Sequence, residues 1–134
     1  ENDRVNRHAT AYFKIHDLEV TPQNLGADQW AKPDAVLKAF GAERVHRAYY
    51  HPDCPVSVSA PDPRFIYAIF AGNGRKLLIL HNDTDREVAE TVSVKGLSSV
   101  GEEIMRGTSY DFTSGRATLT FGSREALFIR FETK

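Results

Sequence analysis

The chain has little cysteine and no long apolar run. Cys54 is the single cysteine among 134 residues, so no internal disulfide bond can form. No stretch approaches the roughly 18 apolar residues that a membrane-spanning helix needs, and no signal-peptide pattern opens the sequence. We therefore expect no membrane insertion and a fold that is stabilised by its hydrophobic core.

An excess of charge of either sign is also missing. The chain has 17 Lys and Arg against 18 Asp and Glu, which gives a net charge of −1 at pH 7. This balance excludes the polybasic surface by which proteins bind nucleic-acid phosphates. Hydrophobic residues make up 41% of the chain, too many for a disordered protein, and the length is that of one domain.

The strongest local pattern is the stretch RFIYAIFAGNGRKLLILHN, residues 64–82, in which two apolar β-type runs flank Asn73-Gly74. This pair favours positive φ angles and predicts a β-hairpin. Short strands separated by turn residues follow from residue 44 to the end. Pro and Asp residues between Pro52 and Pro63 interrupt the second of these strands, which predicts that it lies at a sheet edge. The predicted strands are Val45–His51, Val56–Ser59, Arg64–Ala71, Arg75–Asn82, Val88–Lys95, Glu102–Met105, Ser109–Phe112, Ala117–Phe121 and Ala126–Glu132.

We therefore predict a mainly β fold, an antiparallel β-sandwich of about eight strands with one or two helices in the N-terminal segment. Residues 1–43 would form a helical segment or a bridge to a preceding module, and residues 44–134 the sandwich. The alternation in two late strands indicates which side chains face the core. The expected inward residues are Val88, Glu90, Val92 and Val94, of which Glu90 does not suit a core, and Leu127, Ile129 and Phe131, while Phe128 on the opposite face indicates that this face is covered as well.

The first forty residues allow more than one interpretation. Helical spacing relates Val5, Ala9, Tyr12, Phe13 and His16, which would share one stripe. Residues 11–20 can also be read as a strand, because several of them favour β structure.

A second predicted helix begins at Asp28 as its cap and stops at Gly41. Trp30, Leu37 and Phe40 would mark its apolar face. Pro33 would have to lie in its first turn, where a missing N–H costs nothing.

The end of the chain is similar to a known kind of domain. The stretch EEIMRGTSYDFTSGRATLTFGSREALFIRFE, Glu102 to Glu132, resembles the C-terminal β-sandwich domains that follow the catalytic barrel in many glycoside hydrolases, and Lys76 to Leu97 looks like an earlier segment of such domains. The resemblance implies a non-catalytic accessory module that packs against and stabilises a preceding catalytic domain of the same polypeptide. It implies no catalytic residue and no cofactor in this chain, and a secreted or periplasmic location. A start at Glu1, without Met, fits a fragment of a longer protein.

The carboxylates suggest no catalytic pair. Glu102 and Glu103 are adjacent, and neighbouring residues of a strand face opposite ways, so they cannot flank one glycosidic bond. Cys54 lacks the basic surroundings that activate a thiol. We therefore expect that the isolated chain is not an enzyme.

One group of residues could in principle bind a metal ion. His46, His51, Asp53 and Cys54 are close in sequence, and His81 could join them from the hairpin. Their spacing matches no established ligand pattern, and regular alternation places the first two on opposite faces. We predict no metal site.

Aromatic residues support the alternative function, a carbohydrate-binding module. Exposed planar rings can pack on the apolar faces of sugars. The candidate carbohydrate contacts are Trp30, Tyr49, Tyr50 and Tyr110, although rings of these types are also common in cores and interfaces. Asn82-Asp83-Thr84 matches the acceptor sequence for N-glycosylation.

Overall fold

A computed structural model describes residues 11–12, 14–16, 27–41, 44–59 and 62–132 of the chain. One helix, α1, spans Ala27–Lys38, and residues 11, 12, 14 and 15 are also helical. Nine strands follow among the described residues. They are β1 (Val45–Ala48), β2 (Val56–Val58), β3 (Phe65–Gly72), β4 (Arg75–Asn82), β5 (Val88–Val94), β6 (Val100–Glu103), β7 (Ser109–Asp111), β8 (Arg116–Phe121) and β9 (Ala126–Glu132).

The strands form two antiparallel sheets, which confirms the predicted sandwich-like, mainly β fold. The larger sheet has the order β1-β3-β4-β9-β6-β7 and the smaller one the order β2-β5-β8. As the sequence predicted, β2 lies at a sheet edge. No helix among the described residues has the length and apolar character needed to cross a lipid bilayer.

The hairpin between β3 and β4 is confirmed. Gly72 pairs with Arg75, so the loop contains two residues, Asn73 and Gly74. Their φ angles are 55° and 73°. Positive φ at both positions matches the right-handed twist of the flanking strands, which is why Asn-Gly is favoured there.

An inner core fills the space between the two sheets. The alternation along β5 and β9 directs side chains into this core as predicted. Glu90 is also buried, at 4% exposure, and its carboxylate accepts a hydrogen bond from Ser59 Oγ at 3.3 Å. The buried members are Val56, Phe65, Ile69, Leu78, Leu80, Val92, Val94, Leu97, Phe112, Leu119, Phe121, Leu127, Ile129 and Phe131.

A second core covers the opposite face of the larger sheet. Phe128, which the sequence placed on this side, is fully buried there. The helical residues pack on the sheet, since the cluster combines Ala11, Ile15, Leu37 and Phe40 with Ala48, Ile66, Ala68, Phe70, Leu77, Ile79, Ala126 and Phe128. The larger sheet is therefore buried on both faces, which explains the continuous apolar runs of β3 and β4.

The helical interpretation is correct for residues 11, 12, 14 and 15, and the strand interpretation of these residues is wrong. Tyr12 and His16, the two described members of the predicted stripe, share one face, but it is not the face that packs on the sheet. Ala11 and Ile15 are fully buried, whereas Tyr12 is 44% exposed. The small and aliphatic side chains fit against the sheet, so the larger polar-tipped rings turn outward. Residues 5, 9, 13 and 17–20 lie outside the described part of the chain.

α1 differs from its prediction in two details. It begins at Ala27, so Asp28 lies in its first turn instead of capping it, and Pro33 lies in its second turn instead of its first. An interior proline costs about 3 kcal/mol because one helical hydrogen bond is lost. Packing of Leu37 and Phe40, each 2% exposed, offsets this cost. The helix ends as predicted before Gly41, whose φ is 82°.

Seven strands match their predicted bounds to within one residue at either end. β1 and β6 differ by more, because local hydrogen bonds form turns there. β1 stops at Ala48, whose carbonyl accepts from the His51 amide at 2.8 Å. β6 lies at Val100–Glu103 instead of Glu102–Met105. It ends where the Glu103 carboxylate accepts from the amides of Met105 and Arg106. The division at residues 43 and 44 stays a prediction.

Candidate functional site

Four rings meet beside the end of β1 and form what we call the aromatic patch, defined by Tyr12, His16, Tyr49 and Tyr50. Tyr49 and Tyr50 occupy the turn after β1, where the Tyr49 amide donates to the carbonyl of Tyr67 at 2.8 Å. Tyr12 and His16 are four residues apart on a helical turn and therefore share a face. Two chain segments thus contribute to one surface.

The rings of the aromatic patch contact one another. The His16 ring lies 4.6 Å from that of Tyr12, 5.7 Å from that of Tyr49 and 6.1 Å from that of Tyr50, measured between centroids. Tyr49 and Tyr50 meet edge to face at 5.2 Å. These separations fall within the range in which aromatic pairs attract.

Two hydrogen bonds fix the His16 ring. Nδ1 is 2.8 Å from the carbonyl oxygen of Tyr12, which can only accept, so Nδ1 carries the hydrogen. In neutral His16, Nε2 then accepts from the Tyr49 hydroxyl at 3.2 Å. Burial, together with Tyr12 and Tyr50 nearby, raises the pKa of Tyr49, which keeps this phenol protonated and able to donate.

His46 holds the helical residues against β1. Its Nε2 lies 2.7 Å from the carbonyl oxygen of Ile15, and its ring packs on Phe70 at 4.7 Å. This contact sets the position of the adjacent His16 relative to the turn that carries Tyr49 and Tyr50.

The other two aromatic candidates lie elsewhere. Tyr110 belongs to β7, at the opposite edge of the larger sheet from β1. It is half-buried against the inner core, and this burial, followed by the carboxylates of Glu103 and Glu125, raises its pKa. Trp30 is part of α1, but its side chain lies outside the described residues. The structure therefore brings together Tyr49 and Tyr50, adds Tyr12 and His16, and separates Tyr110 from them.

The candidate metal ligands are engaged locally. His46 Nε2 contacts the Ile15 carbonyl, and His51 Nδ1 accepts from the Asp53 amide at 3.0 Å. His81 is buried in β4. Within the described ranges, no three His, Cys, Asp or Glu side chains converge to form a metal-binding group.

Cys54 lies in a groove of about 760 Å³ at one end of the smaller sheet, lined by residues 52–57, 93–97 and 114–116. Its thiol donates to the carbonyl of Arg47 at 3.6 Å. Burial raises the pKa of this thiol, so the nucleophilic thiolate is disfavoured.

The two adjacent glutamates have different structural partners. Glu102 is exposed and pairs with Arg130 at 2.9 Å. Glu103 is 1% exposed, and its carboxylate accepts from three backbone amides, those of Met105, Arg106 and Phe128, at 2.8–2.9 Å. They face opposite sides of β6, as the alternation predicted.

The glycosylation acceptor Asn82 is fully buried. Its Nδ2 donates to the carbonyls of Arg86 and Gly122, each at 2.8 Å, while its Oδ1 accepts from the Thr84 hydroxyl at 2.6 Å. The amide nitrogen is therefore occupied in the folded chain, and it cannot carry a glycan without breaking this network.

The fold is similar to domain-sized parts of two solved amylases. An Anoxybacillus alpha-amylase gives a TM-score of 0.54 at 11% identity, with 82% of this chain and 21% of that one covered. The noncanonic maltogenic alpha-amylase AmyB from Thermotoga neapolitana gives 0.50 at 14% identity, with 69% and 21% covered. The matched region is thus about one fifth of each amylase chain. At these identities the likeness shows the fold alone.

No protein-family model matches the chain, and no curated protein matches it in sequence.

Proposed function

We propose that the chain is a non-catalytic C-terminal β-sandwich module of a glycoside-hydrolase-like protein, which packs against and stabilises the catalytic domain that precedes it in the same polypeptide. The observation that carries the proposal is the shared fold with about one fifth of two amylase chains. Because fold alone does not assign activity, the proposal also depends on what the side chains do.

The described reactive side chains support a structural role. Glu103 accepts three backbone hydrogen bonds, Glu102 pairs with Arg130, and the Cys54 pKa is raised. A glycosidase needs two carboxylates about 5 to 9.5 Å apart that face the same sugar, one of them free to donate a proton. Glu102 and Glu103 face opposite sides of a strand and do not meet this requirement.

The packing of the larger sheet supports a stabilising role. Both faces of the larger sheet are covered by buried clusters, and its helical layer, α1 with residues 11, 12, 14 and 15, forms part of the outer surface. Hydrogen bonds from Asn73 Nδ2 and Arg75 to the Ala39 carbonyl fasten the end of this layer to the β3–β4 hairpin. A catalytic domain that packs against this surface would unfold locally less often, because its contact residues would be held in place.

Removal of residues 1–134 from the longer polypeptide tests the proposal. We expect the melting temperature of the catalytic domain to fall by several degrees, because the interface that stabilises its folded state is lost. Calorimetry and turnover, measured on the intact and the shortened polypeptides, give the answer. Unchanged stability and activity after removal would contradict the proposal.

The isolated chain gives a second test. Incubation with aryl α- and β-glycosides should release no phenol above the buffer rate. Turnover that persists through purification and elutes together with the folded chain would identify an enzyme and overturn the proposal.

A further inference from the structure

Three rings of the aromatic patch are exposed to solvent side by side. Tyr50 is 61% exposed, Tyr12 44% and Tyr49 36%, and the three lie around the His16 ring. Single exposed rings are common on protein surfaces, whereas a contiguous group indicates recognition.

The patch is organised before any ligand arrives. The His16 ring is held at both nitrogens, by the Tyr12 carbonyl and by the Tyr49 hydroxyl. Tyr49 is also fixed by its backbone bond to Tyr67, and its ring packs on that of Tyr67 at 6.0 Å. Rings that are already ordered lose little conformational entropy on binding, which favours affinity from a small contact area.

The chemistry of the patch suits a neutral, amphipathic ligand. None of its four residues carries a fixed charge, and its surface combines ring faces with phenol oxygens. Tyr49 gives its hydrogen to His16, so its oxygen keeps lone pairs that can accept from a ligand hydroxyl. The C–H face of a pyranose packs on an aromatic ring, while the hydroxyls at its rim form hydrogen bonds.

We propose that the aromatic patch is a binding site for the pyranose units of a neutral oligosaccharide, with Tyr50 and Tyr12 as stacking rings and Tyr49 as a hydroxyl contact. The inference rests on the patch and not on the accessory role, and it requires that the catalytic domain of the proposed longer polypeptide leaves the patch open to solvent.

The size of the patch favours a sugar over a protein partner. At roughly 200 Å² for each ring, the exposed fractions of the three tyrosines leave about 300 Å² open to solvent. A stable protein interface buries about 800 Å² on each partner. The patch matches one or two sugar rings better than a second copy of the chain.

Calorimetric titration of the full 134-residue chain with maltohexaose, cellohexaose and xylohexaose tests the proposal. We expect at least one of them to bind with a Kd between about 0.1 and 5 mM, the range of weak complexes. Tyr50→Ala should weaken binding about tenfold or more, because the most exposed stacking face is removed. Tyr50→Phe should stay within about threefold of the native chain, because the ring remains.

Val100→Ala is the matched control, since Val100 is 54% exposed on β6 and lies outside the patch. It should bind like the native chain. Circular dichroism verifies that each variant is folded. If Tyr50→Ala does not fold, Tyr12→Ala, which removes the other stacking ring, takes its place and should also weaken binding. Any of three results would overturn the proposal. The first is no heat of binding for any of the three sugars at 10 mM, and the second is equal affinity of the native chain and Tyr50→Ala. The third is a concentration-dependent dimer that dissociates in Tyr50→Ala.

Discussion

Replacement of Asn82 tests the packing of the sandwich most sharply among single positions. The side chain is fully buried and joins two turns, since Nδ2 reaches the carbonyls of Arg86 and Gly122 and Oδ1 accepts from Thr84. Asn82→Ala removes all these bonds. Asn82→Asp keeps the shape but places an oxygen against two carbonyl oxygens, so it separates lost hydrogen bonds from lost volume.

The expected magnitude follows from the groups left without partners. Each buried polar group that loses its partner costs about 1–3 kcal/mol, and these costs are not additive. We expect Asn82→Ala to lower the free energy of unfolding by about 3 kcal/mol. For a chain of this length this corresponds to a fall in melting temperature of about 10 °C. Asn82→Asp should be destabilised by at least as much.

Urea titration and calorimetry of the native chain and both variants measure this change. Ser98→Ala is the control, because Ser98 Oγ also donates to a carbonyl, that of Thr113 at 2.7 Å, but in an exposed position. It should change the free energy of unfolding by less than about 0.5 kcal/mol. A loss below about 1 kcal/mol in Asn82→Ala would refute the reasoning, since the network would then contribute no more than an ordinary hydrogen bond.

Two further substitutions test the fold. In Gly101→Ala the new Cβ would lie 2.5 Å from the Phe131 ring, so we expect the free energy of unfolding from urea titration to fall by about 1–3 kcal/mol. Gly122→Ala is the control and should be tolerated, because its new Cβ would meet no atom closer than 3.6 Å. The Thr113 hydroxyl and then its amide donate to Asp111 and lower the pKa of this carboxyl. The unfolded chain therefore binds the proton more tightly, so the stability from this group is present above about pH 4 and is lost as pH falls through the lowered pKa. Asp111→Asn should make the urea midpoint less sensitive to pH below about 4, and an unchanged sensitivity would contradict this assignment.

The local elements could be predicted because their causes are local. Asn73-Gly74 determines a two-residue hairpin, and alternation in β5 determines its buried face, including Glu90. The position of β9 between β4 and β6 could not be read from the sequence, because strand order depends on contacts between distant segments. The second core was indicated only by Phe128, and Pro33 lies in the second turn of α1 because tertiary packing offsets its local cost.

Two of the four residues of the aromatic patch, Tyr49 and Tyr50, could be identified as candidates from the sequence. Tyr49 and Tyr50 are adjacent and were candidates for this reason alone. His16 is 33 residues from Tyr49, and its helical periodicity related it to Tyr12 but not to Tyr49 or Tyr50, so no local signal linked His16 to the turn after β1. The outward turn of Tyr12 depends on Ala11 and Ile15 fitting the sheet, which only the assembled fold determines.

The most direct measurement of the central claim, the proposed accessory role, is calorimetry of the longer polypeptide that this role requires, native and with Phe128→Ala. Phe128 is fully buried between the larger sheet and the helical layer, and its truncation should cost the module about 3–5 kcal/mol. If the module stabilises the proposed catalytic domain, we expect the unfolding transition of that domain to move to lower temperature together with that of the module. A catalytic domain that melts at its native temperature while the module unfolds early would contradict it.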